Sequence, residues 1–132
     1  MIDSLENRIK NKYRSNGEKI IANMLDQYRI SFVYEPDIYL KEGNKRYIWH
    51  PDFYLPEYQT IVEYFGMQGD DDYDNGTKRK KKFYHQNHYN LIPVYPETLR
   101  KDYQTYILKS LHNYQKNKLA DLERKIGSGF YK

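Results

Sequence analysis

The chain contains no cysteine, which excludes disulfides and thiolate metal sites. It has no run of the ~18 apolar residues needed to cross a bilayer, and its first residues, Met1-Ile2-Asp3-Ser4-Leu5, form no apolar signal core. These absences predict a soluble protein of the cytoplasm with no membrane partner. With 132 residues, 39% of them hydrophobic and 30% charged, one globular domain is expected. We divide the chain into an N-terminal arm (1–14), a single domain (15–124) and a flexible tail (125–132) that includes Gly127-Ser128-Gly129.

What is abundant is tyrosine: 16 residues, beside 5 Phe and 1 Trp. A tyrosine buries its ring while its hydroxyl stays wet or bonded, so many are expected at the edge of the core; base stacking is the alternative use. Net charge is +4 and unevenly spread. Asp70, Asp71, Asp72 and Asp74 precede a continuous block, Lys78-Arg79-Lys80-Lys81-Lys82. Such a block suits a polyanion partner, because phosphates release counterions on binding, although lysine runs are also ordinary solvated helix faces.

Periodicity predicts the order helix, three strands, helix, strand, helix. Ser15-Asn16-Gly17-Glu18 matches a capping box, and Ile21, Ala22, Leu25 and Tyr28 follow at helical spacing, ending near Arg29. Strands are expected at 31–34, at 45–55 (bent at Pro51), at 60–65 and at 91–95, where Pro93 favours an edge. Gly43 or Asn44 supplies a positive φ for a turn. Residues 77–87 read as a basic helix, and Pro96 opens a long helix striped by Tyr103, Tyr106, Ile107, Leu111 and Tyr114. The fold class is therefore α/β, a mixed four-stranded central sheet flanked by helices.

Segment 60–65, Thr-Ile-Val-Glu-Tyr-Phe, is apolar on both sides of its alternation, as a strand covered on both faces requires, yet Glu63 sits in its middle. A buried carboxylate needs a cation or strong donors. Mg²⁺ or Mn²⁺ would serve, since hard ions prefer oxygen ligands; a salt bridge to lysine would also serve. Asp52 lies eleven positions earlier, and a hairpin turning at residues 56–59 brings it near Glu63. Two carboxylates so placed repel each other unless a metal lies between them. His50, His85 and His88 match no common zinc spacing, and the aspartate cluster lacks the register of a calcium loop. Glu35 is either a support for the site or a turn residue before Pro36.

Pro51-Asp52-Phe53-Tyr54-Leu55 and Glu63-Tyr64-Phe65-Gly66, with Ser15 to Ile21 before them and Lys80 to Tyr84 and Leu91 to Pro96 after, resemble the PD-(D/E)xK nuclease superfamily. The likeness is to its small nuclease domains, found alone or attached to helicases, and it covers roughly residues 15–99. It implies a restriction-endonuclease-like core and a metal-dependent DNA endonuclease of recombination, repair, or phage or mobile-element metabolism. Asp52, Glu63 and the carbonyl of Tyr64 would bind Mg²⁺ or Mn²⁺, and Glu18 would be a further acid reaching the water on that metal. The sequence departs from the family pattern at Phe65, where the lysine would stand. The resemblance then points to the next helix, with Lys80 the candidate catalytic lysine, sharing a face with Tyr84, and Lys78 and Lys82 as alternatives. Lys78, Arg79, Lys81 and Lys82 would grip the nucleic-acid backbone. A second copy of so small a nuclease would let it cut both strands. If no lysine reaches the site, a nucleic-acid-binding module without catalysis is implied instead.

Overall fold

A computed structural model describes residues 12–66 and 71–129. Helix α1 (Asn16–Gln27) opens at the predicted cap, where Ser15 Oγ accepts from the Glu18 amide. It buries Ile21, Ala22, Met24 and Leu25. Four strands form the central sheet: β1 (Val33–Tyr34), β4 (Phe53–Leu55), β5 (Thr60–Tyr64) and β6 (Asn90–Val94), in the order β1-β4-β5-β6. The pairs β1/β4 and β4/β5 are antiparallel, and β5/β6 is parallel. This is the mixed four-stranded sheet expected.

Between β1 and β4 the chain makes a separate two-stranded ribbon, β2 (Ile38–Glu42) with β3 (Lys45–Trp49), turning through Gly43 at φ +60. The expected single bent strand over 45–55 is therefore two strands in two sheets. Pro51 has no amide hydrogen to carry a ladder past the break, and the hydrophobic alternation simply resumes on the new sheet. A 3-10 turn (Pro56–Tyr58), with Gln59 in the left-handed region, closes the β4/β5 hairpin.

Helix α2 (Asp71–Gln86) starts earlier than residue 77 and absorbs both the aspartates and Asn75-Gly76. Asp70 and Gly69 lie outside the described residues, as does most of the expected N-terminal arm. Helix α3 (Pro96–Leu99) is short, and α4 (Tyr103–Gly129) begins afresh rather than continuing it. Asp102 makes the new start, accepting from the Thr105 amide at 3.1 Å and its hydroxyl at 2.7 Å. The helix runs through Gly129, so residues 125–129, assigned to the tail, are helical.

Strand alternation divides the core. Phe53, Val62, Ile92 and Val94 face α1 and α4, joining Ile21, Leu25, Ile107 and Leu111. Ile61 and Leu91 face the other way, joining Tyr84 of α2 and Ile38 and Leu40 of the ribbon, with Trp49 and Phe83 packed around them. Strand β6 is the edge predicted from Pro93, and tyrosines of α4 occupy carbonyls along it. Tyr106 Oη donates to the Pro93 carbonyl at 2.7 Å and Tyr114 Oη to that of Leu91 at 2.8 Å, which blunts the edge against further pairing. Among the described residues no helix is long and apolar enough to cross a membrane.

Candidate active site

The β4/β5 register pairs Phe53 with Val62, so Asp52, one residue before the first, stands opposite Glu63, one residue after the second. Both share the face of Ile61 and Tyr54, under α2 and the ribbon. Two backbone amides hold the Asp52 end in place. The Tyr64 amide donates to Asp52 Oδ2 at 2.7 Å, and the Glu35 amide donates to the Asp52 carbonyl at 2.9 Å. Glu35 itself sits at φ +48, its carboxylate 2.8 Å from Arg14 Nε. It is thus both a turn residue and a support for the strand end.

Glu63 is 6% exposed, and its Oε2 is buried with no hydrogen-bond partner. The nearest cation is Lys80 Nζ at 3.6 Å, an ion pair just beyond hydrogen-bonding reach. The same ammonium lies 5.7 Å from the centre of the Phe65 ring. A cation from α2 thus lies beside position 65. One helical turn on, buried Tyr84 packs edge-on against Trp49 at 5.2 Å. Ile48, Trp49, His50, Glu63, Lys80 and Tyr84 line an open cleft of about 320 Å³.

The electrostatics are those of carboxylates deprived of water. Burial, opposed by the Tyr64 amide and reinforced by the negative charges of Glu18 and Glu63, pushes the Asp52 carboxyl up to about 7. Burial also raises Glu63, against the pull of Lys80. The Tyr84 phenol is held protonated far above its ordinary range, by burial first and then by both acids. The two acids make a favourable place for a divalent cation: they are opposed, poorly solvated and short of donors, and one buried oxygen accepts no hydrogen bond and meets only the Lys80 ammonium at 3.6 Å. Asp52 and Glu63 supply the hard oxygen ligands that Mg²⁺ or Mn²⁺ prefer.

Glu18 approaches from the opposite face. Its Oε1 accepts from Tyr34 Oη at 2.6 Å and its Oε2 from Ser15 Oγ at 2.9 Å. The carboxylate thus turns to the Ser15 side chain, whereas a full capping box would have it accept from the Ser15 backbone. It is buried and close enough to raise Asp52. Gly17 makes the approach possible: a Cβ there would lie 2.4 Å from Tyr64 Cζ, so α1 closes on β5 only without one.

The basic block does not act as one patch. Lys80 turns to Glu63, and Lys81 Nζ lies 3.4 Å from Tyr95 Oη and over its ring. Arg79 and Lys82 line a groove against the ribbon, and Lys78 is exposed. His50 pairs with Asp37 at 2.8 Å, while His85 and His88 are exposed. Among the described residues no three His, Asp or Glu side chains cluster as metal ligands, so a metal here would depend on two carboxylates and backbone oxygen. Tyr84 was absent from the sequence-derived site. Its signal was its place one turn after Lys80, which had served only to orient the lysine.

No protein-family model matches the chain, and no curated protein matches it. Among solved structures it is similar to the catalytic domain of the homing endonuclease I-Bth0305I. The TM-score is 0.58 at 20% identity, over 76% of this chain and 97% of that one. The chain has the fold of that nuclease catalytic domain.

Proposed function

We propose that the chain is a DNA endonuclease that hydrolyses phosphodiester bonds with Mg²⁺ or Mn²⁺ held by Asp52, Glu63 and the carbonyl of Tyr64. The observation that carries this reading is the buried Glu63 oxygen that accepts no hydrogen bond, set opposite a second desolvated acid on adjacent strands. Fold likeness to a homing endonuclease catalytic domain supports it. Bound there, the cation supplies neutralisation of phosphate oxygens and a lowered pKa for the attacking water.

This chain's own residues supply the rest. The Tyr64 amide fixes the Asp52 carboxylate, so the acid need not reorganise. Lys80, half-exposed at the cleft and already facing Glu63, offers its ammonium to the charge that develops on the phosphoryl group. Tyr84 Oη keeps its proton at any working pH and can donate to the same region. Glu18, both oxygens already engaged by hydroxyls, steadies water at the edge of the site. Lys78, Arg79, Lys81 and Lys82 hold the nucleic-acid backbone without reading sequence. A pair of chains would cut both strands.

One observation favours a second reading. Lys80 already partly neutralises Glu63, and a lysine that stayed there would leave a binding module that does not cut. Nicking of supercoiled plasmid with Mg²⁺ or Mn²⁺ separates the two. Wild type should nick, and Asp52→Asn and Glu63→Gln should each lose at least about 10²-fold. Wild type as inert as both variants, with DNA binding intact, would establish the silent module.

A further inference from the structure

The β2/β3 ribbon is not used by the chemistry above, and its two faces differ. Inward, Ile38 and Leu40 are buried, and Tyr47 and Trp49 pack on Phe83 of α2 at 5.5 and 4.8 Å between ring centres. Outward, Tyr39 pairs with Ile48 and Lys41 with Arg46. Tyr39 is 70% exposed and Ile48 53%, an unusual amount of apolar surface for a ribbon. Lys41 and Arg46 are exposed like charges directly across the ladder, which repel. Among the described residues neither is in an ion pair. A face that opposes two uncompensated cations and an exposed aromatic–aliphatic pair is costly alone and complementary to a polyanion that also offers apolar edges.

The ribbon is also next to the reaction. Trp49 and Ile48 line the cleft that holds Glu63 and Lys80. Trp49 also borders a second groove, of about 510 Å³, where Arg79 and Lys82 face Tyr47. Two cations of α2 thus flank the ribbon beside the cleft, in a groove that also holds Glu42, while Lys41 and Arg46 lie on the ribbon's outward face.

Resting on the nuclease reading, we propose that the β2/β3 ribbon enters the major groove of duplex DNA, with Lys41 and Arg46 on phosphates or base edges and Tyr39 and Ile48 against base edges. Two strands about 4.8 Å apart fit a B-form major groove about 12 Å wide, where thymine methyls give apolar side chains a contact. The deep, narrow major groove of A-form RNA does not admit them. The occupant is therefore a DNA duplex, oriented with its backbone on Arg79 and Lys82 and its scissile phosphate at the cleft.

The test is fluorescence anisotropy of a labelled DNA duplex, and of an RNA duplex of the same sequence, with Ca²⁺ across a salt series. Wild type should prefer the DNA. Lys41→Ala/Arg46→Ala should weaken DNA binding at least about 10-fold and, if both contact phosphate, flatten the salt slope by up to about 1.8. Lys109→Ala/Lys116→Ala on exposed positions of α4 should change neither. Tyr39→Ala, at an outward position that lines neither the cleft nor the Arg79/Lys82 groove, should weaken binding with an unchanged slope. Guanine N7 atoms in the bound duplex should be protected from methylation. Unchanged affinity in both ribbon variants, equal affinity for RNA, or unprotected N7 would each overturn the ribbon assignment. If wild type still nicked plasmid, the nuclease reading would survive that result. Failure of wild type both to bind and to nick would instead remove the reading on which the ribbon rests.

Discussion

On one face of the sheet, Val62, Ile92 and Val94 meet Ile21, Leu25, Ile107 and Leu111 of α1 and α4 in a closed core, with Phe53 and its ring neighbours Phe32 and Tyr34 beside them. On the other, Ile61 and Leu91 meet Tyr84, with Phe83 and Trp49 against them, and the next residues along are Glu63 and Asp52. The same strand builds both, since alternation along β5 sends Val62 to one side and Glu63 to the other. The difference lies in what covers each face. Two long helices seal the first, whereas the second lies under a basic helix and a ribbon that leave a cleft. The closed face holds the strands in register, and the open face uses that register to hold two charges where water is scarce.

If this division is right, damage to the two faces should be separable. Phe53→Ala, which empties a fully buried position on the closed face, should cost about 3–5 kcal/mol in urea unfolding, with nicking per folded molecule unchanged. Activity falling much further than the folded fraction would show that the faces are not independent. Next in size, Lys80→Met should reduce nicking about 10²- to 10³-fold while the melt stays cooperative. Near-normal nicking would move the catalytic role to Lys78 or Lys82.

The third effect is a pH slope confined to the charged face. Asp52 is raised from 3.8 to about 7 in the folded chain, so between those values the native state binds more protons than the unfolded state. Stability in EDTA should therefore fall as pH rises through that window and level off above it. Asp52→Asn should remove most of the slope, and Val62→Ala should lower stability without altering it. A slope that persisted in Asp52→Asn would assign it elsewhere.

Much of this site was legible because it depends on local arithmetic. The turn at residues 56–59 sets the Asp52–Glu63 register, and helical spacing sets Lys80 beside Tyr84. The Ser15–Glu18 cap followed from its sequence signature as well. What was not legible depended on which sheet a strand joins. Pro51 marks a bend in residues 45–55, but the alternation is in phase on both sides of it, so only tertiary contact reveals that the ribbon leaves the sheet at Trp49. The basic helix was expected from residue 77, yet α2 begins at Asp71 and runs through Asn75-Gly76. The break before α4 carried a readable signal, Asp102 with Thr105 three residues on, masked by the continuous tyrosine stripe around it. Tyr84 was missed because a buried tyrosine resembles core until two carboxylates are found beside it.

The most direct test is calorimetric titration of the metal-free chain with Mn²⁺. Wild type should bind the ion with release of protons, because Asp52 and Glu63 hold theirs more tightly than ordinary acids do. Glu63→Gln and Asp52→Asn, still folded, should lose that binding. Equal Mn²⁺ affinity in wild type and both variants would contradict the claim that these two acids form a metal centre.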